Sequence, residues 1–228
     1  MNDLTLIIPA KNEIESIDIV LDEIIHFDKN LKILIVVDDV DDNTFQSKYS
    51  KENLFKNINF IVSKYPSYSG AVRYGVEKSS TKFCCIFNAD GSFLPSSLKD
   101  MYGQIFEYDF VYCSRYKKNG SSDDDTILTY VGNKIFTLMG NILFNVKITD
   151  ILYSYVMFNR QKFISLNLTS KKFNLALELP IKNAMNKSKY TDVSSHERKR
   201  FKGQKKVREF QDGFQLLIFM LNMFIKNF

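Results

Sequence analysis

Apolar residues in the first half of the chain fall into short runs separated by amphipathic stretches. Leu4 to Pro9, Lys32 to Val37, Ile58 to Val62, Phe83 to Phe87 and Asp109 to Cys113 are mostly apolar. Runs of this length suit strands covered on both faces, as in a parallel sheet packed between helices. Between them the helical period takes over. Ile14, Ile17, Leu21, Ile24 and Ile25 follow a helix opened by Lys11-Asn12-Glu13. Ser69 can cap a helix running from about Gly70 to Ser79, and Pro95 begins one with Leu98, Met101 and Ile105 on one face. The alternation predicts βαβ units with right-handed crossovers. The expected fold class is α/β: a doubly wound, mostly parallel sheet flanked by helices.

The second half is less regular. Lys117 to Asp125 is polar and reads as a mobile loop. A helix is predicted from Ile127 to about Phe144, with Val131, Ile135, Leu138 and Ile142 at helical spacing, then a strand from Ile151 to Phe158. A helix around Glu178 and a polar edge strand from Tyr190 to Ser194 follow. Phe214 to Phe228, as a helix, is apolar almost all round, so it is buried or meets lipid. It is too short to span a bilayer but long enough to lie in the interface. The chain therefore divides into a domain over residues 1–208 and an apolar helix over residues 209–228. That helix is expected to touch a membrane surface through residues 214–228, or to pack on its own domain or on the second copy in a homodimer. With no run of about 18 to 20 apolar residues, no membrane-spanning helix is expected.

Composition narrows the picture modestly. The net charge of +5 allows anionic ligands or anionic lipid but is no nucleic-acid footprint, and no nucleic-acid partner is expected. Three cysteines without framework spacing favour a reducing compartment, and two histidines offer no zinc spacing. No signal segment precedes the first strand. Seven cations between Arg198 and Arg208 lie directly before the apolar helix and suit anionic lipid. A cytoplasmic protein at the inner membrane face is the expected localisation.

The chemistry gathers at the strand ends. In open α/β sheets ligands bind beyond the carboxyl ends of the strands. Here those ends are Pro9-Ala10, Asp38-Asp39 and Asn88-Ala89-Asp90. Asp38 or Asp39 could accept hydrogen bonds from a base and ribose. Asp90, with Asn88 as a weaker neutral ligand, could hold Mg²⁺ or Mn²⁺ against a diphosphate. No Walker loop, dinucleotide fingerprint or Ser/His/Asp arrangement is present.

The order of these motifs resembles family 2 glycosyltransferases of GT-A fold, and in particular polyprenyl- or dolichyl-phosphate sugar transferases. Ile8-Pro9-Ala10-Lys11-Asn12-Glu13 is similar to the family's opening Pro-x-x-Asn-Glu. Val37-Asp38-Asp39 with Asp42-Asn43-Thr44 is similar to its Val-Asp-Asp-Gly-Ser-x-Asp-x-Thr, and Gly70 to Gly75, including Arg73, to its glycine-containing helix. Asn88-Ala89-Asp90 stands where the family has Asp-Ala-Asp, and Ser114-Arg115-Tyr116 where it has Gly-Ser-Arg-Tyr. Asn133, Asp150, Glu178 and Arg200 to Lys206 fall where the family places Asn, Asp, Glu and Arg-x-x-Gly-x-Ser-Lys.

The resemblance implies an inverting transfer of a sugar from a UDP- or GDP-sugar to a polyprenyl-phosphate or glycan acceptor. It implies that Pro9, Ala10, Asn12, Glu13, Asp38, Asp39 and Arg73 line the nucleotide site. Asp90 and Asn88 would hold the metal. Arg115, Arg200, Lys206 and Glu178 would serve the phosphates or the acceptor. Asp90, Arg115 and Asp150 are the expected catalytic residues, with Asp150 as base should the acceptor be a hydroxyl. Asn88 for Asp, Val40 for the turn glycine, and Tyr130 and Val156 where lipid-phosphate transferases carry arginine are departures. They point to the alternative of a degenerate family member that binds a nucleotide-sugar, or supports a partner subunit, without turnover. Asp41, Asp42 and Asp123 to Asp125 read as solvated loop charge.

Overall fold

A computed structural model describes residues 1–51, 56–201 and 209–227. The five expected strands form as β1 (Leu4–Ala10), β2 (Lys32–Val37), β3 (Ile58–Val62), β4 (Phe83–Ile86) and β5 (Phe110–Ser114). Between and after them come α1 (Ile14–Phe27), a single turn α2 (Lys48–Lys51), α3 (Ser67–Lys78) and α4 (Ser97–Gln104). The helix expected from Gly70 starts three residues earlier, and Ser69 is buried inside it rather than capping it. The later elements are β6 (Ser121–Ser122), α5 (Ile127–Phe144), β7 (Val156–Asn159), α6 (Arg160–Ser165), α7 (Leu175–Met185), β8 (Tyr190–Ser194), β9 (His196–Glu197) and α8 (Glu209–Asn227).

Seven strands make one sheet in the order β3-β2-β1-β4-β7-β5-β8. Every pairing is parallel except those of β7, which runs antiparallel between β4 and β5. The strand period sends alternate side chains to opposite faces, so the sheet carries two cores. Leu6, Ile8, Ile35 and Cys85 meet Ile17, Leu21, Leu98 and Met101 of α1 and α4 on one face. Ile7, Val36, Cys84 and Ile86 meet α3, α6, α7 and Met220 of α8 on the other. Gly75 lets α3 approach closely, since a Cβ there would lie 2.5 Å from the Ile7 side chain. The three cysteines are free and buried, and burial pushes the Cys84 thiol up to about 11, away from thiolate chemistry.

Two expectations change. The stretch Lys117 to Asp125 is not an open loop: its Ser121–Ser122 pairs in parallel with His196–Glu197, and the His196 ring lies 3.2 Å from Asp123. No membrane-spanning helix was expected, but among the described residues the internal α5 is long and apolar enough to cross a membrane, by length and composition alone. The C-terminal helix packs beside α5, where Phe144 meets Phe224 edge-on at 5.9 Å.

Candidate active site

β1 lies between β2 and β4, all three parallel, so their carboxyl ends share one edge. That edge opens into a cavity of about 450 Å³. Pro9, Ala10, Glu13, Asp38, Asn88, Asp90, Arg115 and Arg200 line it, as expected from the sequence. Thr129 and Asn133 of α5, Asp212 and Leu216 of α8, and Tyr68, Lys172 and Phe173 also line it.

The first strand end is held by a cap from a different loop. The opening turn of a helix leaves backbone N–H groups without partners. Here the Asn12 N–H donates to both oxygens of Asp42, at 3.0 and 3.1 Å, and the Glu13 N–H to Thr44 Oγ1 at 3.0 Å. The Asp42 carboxylate also accepts from the Thr44 N–H and hydroxyl. Asp42 is therefore a buried cap that ties the β1 turn to the β2 turn, not solvated charge. Across the mouth Lys11 lies 3.3 Å from Asp38.

The β4 end is fixed through Asp90. One carboxylate oxygen accepts from the Ser92 N–H at 3.0 Å and hydroxyl at 2.7 Å. The other lies 3.5 Å from Nε of Arg200, whose Nη2 is 3.5 Å from Asp124. The Phe201 N–H donates to the Asp90 carbonyl, and Gly91 has φ +81° beneath the Phe201 ring. A Cβ at Gly91 would lie 2.2 Å from that ring. Asn88 is half-buried, and its amide oxygen accepts from Tyr68 Oη at 3.4 Å, with Ser154 also against that hydroxyl.

The third group is built on Arg115, just past β5. Its Nε and Nη2 meet the two oxygens of Asp150 at 2.7 and 3.0 Å, and Nη1 meets Glu197 at 3.2 Å. Asp125 lies 3.6 Å from Nη1, and the guanidinium stacks over Tyr153 and Tyr116. Burial alone would lower the Arg115 pKa, but Asp150 and Glu197 outweigh it and keep the guanidinium charged. Burial pushes the Glu197 carboxyl up, against Arg115 and the Ser122 hydroxyl.

Several expected roles do not match this geometry. Asp150 is fully buried with both oxygens on Arg115, so it is not free to act as a base. Glu178 is turned away from the cavity. It accepts the Thr169 and Ser170 N–H groups and pairs with Lys182 at 2.9 Å, which fixes the chain ahead of α7. Arg73 donates to the carbonyls of Leu168 and Ser69 and stacks on Tyr65, holding α3 rather than a nucleotide. Asp39 is exposed beside the Asp41 N–H, and Asn12 contributes its backbone to the cap, with φ 56°. Neither lines the cavity. Lys206 lies outside the described residues.

Other residues were not anticipated. Tyr68, Tyr153, Glu197, Asp212 and the Asp124-Asp125 pair all border the cavity. The only sequence signal for the Asp pair was its density of charge, which solvated loops share.

The charge balance bears on a metal ion. Among the described residues, Glu13, Asp38, Asp90, Asp124, Asp125, Glu197 and Asp212 line the cavity with Lys11, Arg115, Lys172 and Arg200, seven carboxylates against four cations. A divalent cation adds positive charge for a diphosphate beside such carboxylates. Among the described residues no cage of three or more His, Cys, Asp or Glu is formed. Mg²⁺, however, is commonly held by one or two carboxylates together with substrate phosphates and water. The Asp90 carboxylate and Asn88 amide oxygen at one strand end fit that donor set.

A family model described as Glycosyl transferase family 2 matches residues 5–166. Among solved structures, glucosyl-3-phosphoglycerate synthase from Mycobacterium tuberculosis, in complex with Mn²⁺, UDP and phosphoglyceric acid, is similar with a TM-score of 0.73 at 12% identity. That match covers 97% of this chain and 78% of that one. The same enzyme with Mn²⁺ and UDP-glucose matches with a TM-score of 0.69 at 12% identity, over 97% and 78% of the two chains. Mannosyl-3-phosphoglycerate synthase from Rubrobacter xylanophilus matches with a TM-score of 0.70 at 13% identity, over 98% and 74%. At these identities the likeness is one of fold. No curated protein matches the sequence.

Proposed function

Because the chain belongs to glycosyl transferase family 2, we propose that it moves a sugar from a nucleoside-diphosphate-sugar to an acceptor, with inversion. The observation that carries this reading is the convergence of the β1, β2 and β4 ends on one cavity, with Asp38 on one side and Asn88 and Asp90 on the other. In this reading Pro9, Ala10, Glu13 and Asp38 receive the base and ribose. Asp90 with Asn88 would hold a divalent cation, Mg²⁺ or Mn²⁺, whose charge offsets that of the diphosphate. Arg200, beside Asp90, faces the leaving diphosphate and stabilises the charge that develops on it.

Arg115 acts indirectly. Its ion pairs hold Asp150, Glu197 and the Asp124-Asp125 loop around the cavity, and a guanidinium so engaged has little capacity left for a phosphate. A glycan hydroxyl as acceptor would need one of the other carboxylates lining the cavity in place of Asp150, whereas a polyprenyl phosphate is already ionised and needs no base. The same acceptor is consistent with residence at the inner face of a membrane.

The purified chain, incubated with UDP- and GDP-sugars, Mg²⁺ or Mn²⁺ and a polyprenyl phosphate, is expected to release nucleoside diphosphate and form a lipid-linked sugar. Failure to bind either nucleotide would overturn the reading, and release of pyrophosphate from a nucleoside triphosphate supplied with a sugar phosphate would make the protein a nucleotidyltransferase. Asn88, neutral where a carboxylate would bind a cation more strongly, favours one alternative. A binding subunit without turnover would hold UDP or GDP tightly and release nothing from any donor.

A further inference from the structure

The outer surface of α5 and α8 is apolar and uncovered. On α5, Ile127, Val131, Ile135, Leu138 and Ile142 are 46–86% exposed and recur every three or four residues, so they form one stripe. The buried residues of that helix, Thr137 and Gly140, lie on the opposite side. On α8, Phe214, Ile218, Leu221 and Ile225 make a second exposed stripe, while Met220 on the opposite face is fully buried. The two helices pack together through Phe144 and Phe224. Of the 18 large apolar residues left exposed among the described residues, 11 lie on these two helices, so the exposure is a concentrated patch and not scatter.

Charge supplies the second observation. α5 carries no acidic residue and one cation, Lys134, which lies over the Tyr116 and Tyr130 rings. α8 has no charged residue between Gly213 and Ile225 and ends with Lys226. Of the sequence leading into α8, Arg198 and Arg200 are taken up by Glu23, Asp90 and Asp124, and Lys199, Lys202, Lys205, Lys206 and Arg208 remain as five cations against Glu209 and Asp212. A second copy meeting this face about a two-fold axis would bring two such basic flanks together, whereas anionic lipid neutralises them.

We infer that α5 and α8 together form a lipid-docking surface that lies in the headgroup region of an anionic bilayer. The surface stands on exposure and charge alone; what it implies for the acceptor rests on the sugar-transfer reading. The inner sides of the same two helices supply Thr129, Asn133 and Leu216 to the cavity wall. Docking therefore sets the cavity beside the membrane, and a phosphate carried on a lipid reaches it without leaving the bilayer.

Vesicle flotation of the full chain tests this, using phosphatidylcholine alone and phosphatidylcholine with about a third phosphatidylglycerol. Wild-type protein is expected to float with the anionic vesicles and to be released by salt. The double variants Ile135→Glu with Leu138→Glu, and Ile218→Glu with Ile225→Glu, change exposed side chains only. Each is expected to lower the bound fraction about tenfold or more, since each puts charge where acyl chains would be, with UDP or GDP binding unchanged. The chain has no tryptophan, so Leu138→Trp gives an unobstructed reporter whose emission should shift to the blue on anionic vesicles. No vesicle binding by wild-type protein, binding indifferent to both double variants, or a dimer in solution that either double variant dissociates would each overturn the inference. Vesicle binding without any nucleotide binding would leave the surface standing and remove the sugar-transfer reading instead.

Discussion

The strand-end edge and the outer face of α5 and α8 solve opposite problems. At the strand ends the charged groups are paired with groups supplied from distant parts of the chain, although Tyr153 Oη and Arg200 Nε are buried without a hydrogen bond. Asn12 meets Asp42, Asp90 meets Arg200, and Arg115 meets Asp150 and Glu197. On the helical face, large apolar side chains are left with none. The first region is brittle, because removing one partner strands another in a low-dielectric interior. The second should accept substitution freely, since its side chains touch little. That asymmetry separates a site shaped by internal contacts from a surface awaiting an external one.

The contrast would break first at Arg115. Arg115→Ala leaves Asp150 and Glu197 without their counter-charge, and a loss of about 3–5 kcal/mol is expected in denaturant unfolding. If the variant unfolds like the wild type, the ion cluster is not what makes this region brittle. Asp90→Ala should be costly to transfer above all, with a fall of about 10²–10³-fold in turnover, the size seen when one charge-stabilising group is lost. Its melting temperature should also fall, by less than that of Arg115→Ala, because Ser92 and Arg200 lose their acceptor.

Glu178→Gln sharpens the comparison through pH. The hydrogen bonds from Lys182, Thr169 and Ser170 overcome burial and hold the Glu178 carboxyl below its usual range. Its ionised form therefore stabilises the fold, fully so above the unfolded-state value, and this contribution disappears as pH falls through the lower folded value. The variant should be less stable by about 1–3 kcal/mol at neutral pH, with the gap to wild type closing in acid. Asp42→Ala should cost about 1 kcal/mol, the usual worth of a helix cap, and should also weaken nucleotide binding by loosening the β1 turn. On the other side of the comparison, Ile135→Glu should shift stability by no more than about 0.5 kcal/mol in the absence of lipid.

The same asymmetry explains what the sequence disclosed. Periodicity located the five strands of the first half and most of the helices, because burial on two faces of a sheet leaves a repeating mark on the residues themselves. The convergence of Pro9, Asp38 and Asp90 followed from the handedness of βαβ units. Pairings across the fold left no such mark. Arg115 and Asp150 are 35 positions apart and were read as two independent site residues, yet they neutralise each other. Asp42 has the same composition around it as a solvated loop, and only the arrival of the Asn12 N–H makes it a cap. The polar stretch after Lys117 looked mobile because its partner, His196–Glu197, lies some 75 positions away.

One feature of the sheet bears on how the chain comes to be folded as it leaves the ribosome. β7 sits between β4 and β5 and reaches them only once Asn159 has been made. Until then β3, β2, β1 and β4 can assemble from residues already present, which leaves the apolar β4 with an unpaired edge. An open, apolar edge strand is a template for a neighbouring nascent chain. Fragments ending between β4 and β7 should therefore aggregate during synthesis, whereas those extending past Asn159 have the means to close that edge.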